Sequence, residues 1–124
     1  MKDLIAVIDD MELVMVIIRD TLVNAGYENI LTYEDSIQAY ADLLDKTELR
    51  LVITDYEMPC LNGVILLSNL KAFHPGIEGI IVTGNAEAVE CLKERYTVIQ
   101  KGMPDFTKRL LQCVEIALGK RGLP

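Results

Sequence analysis

Five residues carry the chemistry in this chain, and each sits where a short run of strand-forming residues ends. Asp9 and Asp10 follow Leu4–Ile8, and Asp55 follows Leu51–Thr54. Thr83 closes Gly79–Thr83, and Lys101 follows Thr97–Gln100. Singly, each has an ordinary explanation. An Asp after a strand often just caps the next helix, a Thr there is unremarked, and a Lys is usually a solvated charge. Together they put three carboxylates, a hydroxyl and an ammonium at strand ends. Carboxylates crowded in this way raise one another's pKa values, and a divalent cation removes the conflict. All-oxygen ligands favour a hard ion, and a site with room for waters and a phosphate favours Mg²⁺, with Mn²⁺ second.

The elements that must position these residues alternate. After the first strand, Val14, Ile18, Leu22 and Ala25 recur at helical spacing, and Gly26 stops the helix as a C-terminal glycine does. Asn29–Tyr33 predicts a second strand. Ser36–Leu44 predicts a second helix with Ile37, Ala41 and Leu44 on one face. The turn-forming stretch Met58-Pro59-Cys60-Leu61-Asn62-Gly63 leads into a helix over Val64–Phe73, closed by Pro75-Gly76. A helix over Ala86–Arg95 precedes the fifth strand. Pro104 stands where a helix start tolerates proline, ahead of a last helix over Phe106–Leu118. The stretch Gly119–Pro124 reads as a frayed tail.

Five strand–helix units imply an α/β fold, a parallel sheet with helices on both faces. The first, third and fourth strands are almost continuously apolar, as sheet-centre strands are. Ligands of such sheets sit outside the carboxyl ends of the strands, where the five chemical residues fall.

At 124 residues, 51% of them hydrophobic, the chain suits one domain with one proper core. Its net charge of −7 and scattered Lys and Arg argue against direct nucleic-acid binding. Apolar runs of about six residues are far short of the roughly 20 of a membrane span. Asp9 and Asp10 interrupt the only signal-like stretch, so a cytoplasmic location is expected. Cys60, Cys91 and Cys113 lack disulfide or metal spacing and read as free thiols. His74 reads as a helix-end residue.

The sequence resembles, over essentially its whole length, the receiver domain of two-component response regulators. The matching pieces are Val7-Ile8-Asp9-Asp10, Asp55-Tyr56-Glu57-Met58-Pro59 with Asn62-Gly63, Thr83-Gly84, and Lys101. The resemblance implies a flavodoxin-like sheet of order 2-1-3-4-5, the order for which receivers are a standard example. It implies that Asp55 accepts a phosphoryl group from a phosphohistidine of a histidine kinase or a histidine phosphotransfer domain. It also implies that Asp10 and Asp55 bind Mg²⁺ directly and Asp9 mainly through water, with the backbone carbonyl of Glu57 completing the protein ligands. Thr83 and Lys101 would then bind phosphoryl oxygens. Such a domain relays its signal to a downstream protein and is no enzyme beyond its self-catalysed phosphorylation and autodephosphorylation.

The chain departs from the family pattern in four places. Gly102 rather than proline follows Lys101. Val98 stands where the family has Tyr or Phe, with Tyr96 on the same strand face. The span from Thr83 to Lys101 is short, which predicts a truncated fourth helix. Glu57 lies two residues after the acceptor. On the first helix, Val14, Ile17, Ile18, Leu22 and Ala25 read as the core face. Leu13, Met15, Val16 and Val23 are left as a docking patch for the phosphoryl donor protein, or as the flanks of a wide core stripe. One receiver domain over 1–124, starting naturally at Met1 and with no output domain after Lys120, is the expected organisation. Two other functions compete. One is a phosphorylation-independent interaction module that keeps the fold. The other is a haloacid-dehalogenase-type phosphatase, for which the acid/base position two residues after Asp9 or Asp10 is Met11 or Glu12.

Overall fold

A computed structural model describes residues 3–119, so the part of the expected frayed tail at 120–124, and the chain end at Met1, lie outside the described residues. The elements run β1 (Leu4–Ile8), α1 (Glu12–Asn24), β2 (Ile30–Tyr33), α2 (Ser36–Leu43), β3 (Leu49–Asp55), α3 (Gly63–Phe73), β4 (Glu78–Thr83), α4 (Ala86–Leu92), β5 (Thr97–Gln100) and α5 (Phe106–Ala117). All four strand pairings are parallel, in the order β2-β1-β3-β4-β5.

The reason is visible in the strands. Every residue of β1 is buried, and β3 is buried at all positions but Arg50. Such strands need cover on both faces, which only a sheet centre gives. Two apolar clusters provide it. One packs Ala6, Ile8, Val52, Ile81 and Val98 against α2 and α3 through Ala39, Leu43, Leu66 and Leu70. The other packs Ile5, Val7, Ile53, Ile80 and Ile99 against α1 and α5 through Ile18, Leu22, Leu110 and Val114. The alternation of neighbouring strand residues between the clusters is the period of two of a β-strand.

Helix boundaries agree with the expected ones to within one residue for α2, α3 and α5, while α4 is shorter than Ala86–Arg95, ending at Leu92. Gly26 terminates the α1 segment at φ +102, as its type requires. Gly119, expected in the frayed tail, instead donates its N–H to Ile116 and holds φ +67 at the end of α5. The helix faces need correction. On α1 the buried residues are Met15, Ile18 and Leu22, so Met15 belongs to the core, whereas Ile17 is 41% exposed and Ala25 is exposed. A helix advances about 100° per residue, which places Met15 about 60° and Ile17 about 100° from Ile18. On α2 the buried face is Ser36, Ala39 and Leu43, not Ile37, Ala41 and Leu44. Ala39 packs in the cluster against the sheet, Ser36 is buried with its hydroxyl on the Pro59 carbonyl, and Ile37 is turned outward.

Candidate functional site

The parallel sheet brings the five residues together at its carboxyl edge. Asp9 is completely buried just past β1, and Asp55 is 5% exposed at the last position of β3. Asp10 is exposed at the mouth. One carboxylate oxygen from each of Asp9, Asp10 and Asp55 can be chosen so that all three lie within 4.8 Å of one another. The Lys101 ammonium, just past β5, reaches across the edge to Asp9 Oδ2 at 2.9 Å and Asp55 Oδ1 at 3.2 Å.

Backbone contacts between neighbouring strand ends hold this arrangement. Lys101 N–H donates to the Thr83 carbonyl at 2.8 Å, and Tyr56 N–H to the Val82 carbonyl at 2.9 Å. Asp9 Oδ1 accepts from Met11 N–H at 2.8 Å, which fixes its carboxylate as the chain leaves β1. Thr83 is fully buried, and its Oγ1 accepts from Asn85 N–H at 3.1 Å. Its own hydroxyl hydrogen is therefore left to donate. Asn85 also caps α4 through Glu87 N–H and Ala88 N–H. Gly63 opens α3 so close to β3 that a Cβ there would lie 2.3 Å from the Asp55 carbonyl oxygen. Glycine is the residue that lets this loop fold over the end of β3. Neither the hold of Met11 N–H on Asp9 nor the role of Asn85 was read from the sequence. Only Asn85 had a signal, a cap-forming residue just before a helix.

The electrostatics are those of a site lacking positive charge. Burial and the nearby Asp9 carboxylate push Asp55 up to about 6, against the partial relief that Lys101 supplies. Burial pulls the Lys101 ammonium down, but its hydrogen bond and charge contact with Asp9, then Asp55, outweigh this and raise it. Three carboxylates and one ammonium leave two negative charges to neutralise, which suits a divalent cation. The donor set is all oxygen, with one ligand at the open mouth, and fits Mg²⁺. Glu57 is exposed in the loop after β3.

The edge beyond Lys101 differs. Gly102 takes φ +78, a conformation that proline cannot adopt. Val98 is 8% exposed and shares an apolar cluster with Tyr96, which lies in the bend just before β5 and not, as expected, on the strand itself. A cavity of about 320 Å³ between α4, β5 and the start of α5 is lined in part by Val89, Val98, Ile99 and Met103. The remaining residues behave as expected or better. Cys60, Cys91 and Cys113 are free thiols. His74 ends α3, and its Nε2 meets the Leu43 carbonyl at 2.8 Å, tying α3 to α2.

The family model for the response regulator receiver domain matches residues 5–112. The chain is 30% identical to chemotaxis protein CheY1 of Helicobacter pylori over 115 residues, covering 87% of this chain and 93% of that protein. It is 35% identical to the CheY homolog of Campylobacter jejuni over 116 residues, covering 87% and 88%. Among solved structures, a response regulator receiver domain protein from Clostridium thermocellum superposes with a TM-score of 0.80 at 26% identity, covering 98% of both chains. CheY in a CheX–CheY–BeF3–Mg complex from Borrelia burgdorferi superposes with a TM-score of 0.78 at 22% identity, covering 94% and 89%, a likeness of fold.

Proposed function

From the premise that this chain belongs to the response regulator receiver family, and is similar to CheY proteins, we propose that Asp55 accepts a phosphoryl group from a phosphohistidine. Receivers are signalling domains rather than classical enzymes, so the chemistry serves a relay. The observation that carries the reading is the buried Asp55 carboxylate, in contact with Lys101 and beside Asp9 and Asp10, at the carboxyl edge of the sheet.

An Asp55 oxygen attacks phosphorus, the bond from phosphorus to the donor nitrogen breaks, and that nitrogen keeps the bonding pair. The product is an acyl phosphate on Asp55. Lys101 and the Thr83 hydroxyl hold phosphoryl oxygens and offset their charge. Asp10, Asp55 and the Glu57 carbonyl would hold Mg²⁺ directly, and Asp9 would hold it mainly through water. When bound, the ion lets two anions approach each other. Asp9, pinned by Met11 N–H, keeps Lys101 placed.

The donor protein, a histidine kinase or phosphotransfer domain, docks beside the site on the exposed apolar side chains of α1. Of the residues first considered there, Leu13 (71% exposed) and Val23 (52%) remain, with half-buried Val16 at the flank. Ile17 joins them, and Met15 drops out because it is buried. Leu13→Gln with Ile17→Gln is expected to slow transfer from a donor protein and to leave labelling by acetyl phosphate unchanged. Equal slowing of both would remove α1 from the docking surface.

The direct test is mass mapping after incubation with acetyl phosphate and Mg²⁺. Adduct on Asp55, absent from Asp55→Asn, is the expected result; adduct elsewhere overturns the assignment. A second reading, an interaction module that works without phosphorylation, draws on Val98 and the short α4. It would be supported if Asp55 took no adduct. The match to the receiver family disfavours the phosphatase alternative, whose acid/base position is either Met11, with no titratable side chain, or Glu12, exposed at the start of α1.

A further inference from the structure

Thr83 ends β4 one residue past Val82, the partner of Asp55 in the β3–β4 register. It is fully buried. A hydroxyl has one hydrogen to donate and two lone pairs to accept with. One lone pair of Thr83 Oγ1 is taken by Asn85 N–H at 3.1 Å. Among the described residues, no acceptor is in place for the hydrogen. A buried donor without an acceptor is costly, and an oxygen of a phosphoryl group on Asp55 would satisfy it.

Packing does not hold the turn between Thr83 and Asn85. Gly84 stands there, exposed, and a Cβ at that position would meet nothing within 4 Å. Glycine also has the widest choice of backbone conformation. Asn85 fixes the turn from its other side. Its Oδ1 accepts from Glu87 N–H at 2.8 Å and Ala88 N–H at 3.2 Å, which caps α4. Ala88 is the buried residue of that helix, so the cap ties the Asn85 backbone to the point where α4 is anchored. Hydrogen bonds in series thus run from Ala88 through Asn85 to Thr83.

We propose that Asn85 is a positioning residue for phosphoryl transfer. By capping α4, its side chain keeps its own N–H on Thr83 Oγ1 and so presets the Thr83 hydroxyl as a donor to the phosphoryl group. The proposal rests on Asp55 being the acceptor and on Thr83 holding a phosphoryl oxygen. With Oγ1 held, the Thr83 side chain stays in one of its three staggered wells, and capture of the phosphoryl oxygen turns only the hydroxyl hydrogen. A donor already in place costs no reorganisation as charge develops on the transferring group. Without the cap, the turn at Gly84 loosens, the N–H leaves Oγ1, and Thr83 must be ordered anew in each transfer. Asn85 acts through Thr83 alone.

The test measures the rate at which acetyl phosphate, with saturating Mg²⁺, labels Asp55. Asn85→Ala removes the cap and is expected to slow labelling about fivefold. Asn85→Ser, which caps as well, restores the rate. Asn85→Gly separates positioning from folding. Glycine costs a helix start little but has no Oδ1, so labelling slows as with alanine while thermal stability stays close to that of the wild type. In a Thr83→Ala background, which keeps Lys101 and the metal ligands, the same substitutions have no further effect. Hydrogen exchange of the residue 85 amide in the metal-free protein reads the contact without any labelling. It should be faster in Asn85→Ala and Asn85→Gly and return to the wild-type rate in Asn85→Ser. Labelling left unchanged by alanine and glycine, not restored by serine, or slowed to the same degree when Thr83 is removed would overturn positioning through Thr83 while leaving Asp55 as acceptor. An unchanged exchange rate at residue 85 would do the same. A wild type that takes no label at Asp55 would overturn the acceptor reading itself, and the proposal with it.

Discussion

The two ends of the site's edge are built differently. At the β1–β3 end, charge is dense and the backbone is held on every side. Asp9 and Asp55 follow strands buried on both faces, and Lys101 is held by its ion pairs and by its N–H on Thr83. At the β5–α4 end, an edge strand of four residues meets a helix of seven, with a valine and a cavity between them. Placing charge needs only that strands stop in register. Transmitting a change needs a side chain with volume to move, and Val98, with two carbons on Cβ, has one stiff torsion and little reach. The charged residues are therefore in place at one end, while at the other a valine stands where the family pattern has Tyr or Phe.

The largest effect that would break this comparison lies at the charged end. Asp10→Asn is expected to lower Mg²⁺ affinity by on the order of tenfold or more, since a ligand charge is lost close to the ion. Asp9→Asn should cost less, because Asp9 is directed to Met11 N–H and Lys101. Titration of both variants with Mg²⁺ decides it, and equal losses would contradict the division of roles.

A smaller effect is written in the stability of the metal-free protein. Asp55 is raised to about 6 from an ordinary value near 3.8. A raised carboxyl group contributes its stability in full below the ordinary value and loses it as pH rises through the raised one. Metal-free wild type should thus weaken between about pH 4 and pH 6, and Asp55→Asn should not. Above pH 7 the variant is expected to be more stable by ~2 kcal/mol. Thermal melts across pH check this, and Mg²⁺ should close the gap by stabilising only the wild type. A variant less stable than the wild type at pH 7 without metal would show that the Lys101 contact outweighs the crowding.

The smallest expected effect is a near absence of change. Beryllofluoride with Mg²⁺ should slow amide exchange in the loops after β3 and β4 and leave Thr97–Gln100 almost unaltered. A large change in β5 and α4, abolished by Thr83→Ala, would show that Tyr96 or another group supplies the coupling Val98 lacks.

What the sequence by itself determined is the layout along the chain. Runs such as Leu4–Ile8 and Leu51–Thr54, the glycine at 26 and the residues at strand ends are local signals, and local signals survive without a fold. Because the five chemical residues all follow strands, a parallel sheet was enough to bring them to one edge. Tertiary structure decided the rest. Whether Met15 or Ile17 faced the core depended on how α1 was rotated against β1, because the two lie on opposite sides of Ile18, about 160° apart around the axis, and apolar residues flank Ile18 on both sides. The outward turn of Ile37 depended on the face of Ser36, Ala39 and Leu43 being the buried one on α2. The ion pairs of Lys101 with Asp9 and Asp55 join residues far apart in the chain. Such contacts exist only once β1, β3, β4 and β5 are assembled in one sheet, because they are set by distances across the sheet rather than along the sequence.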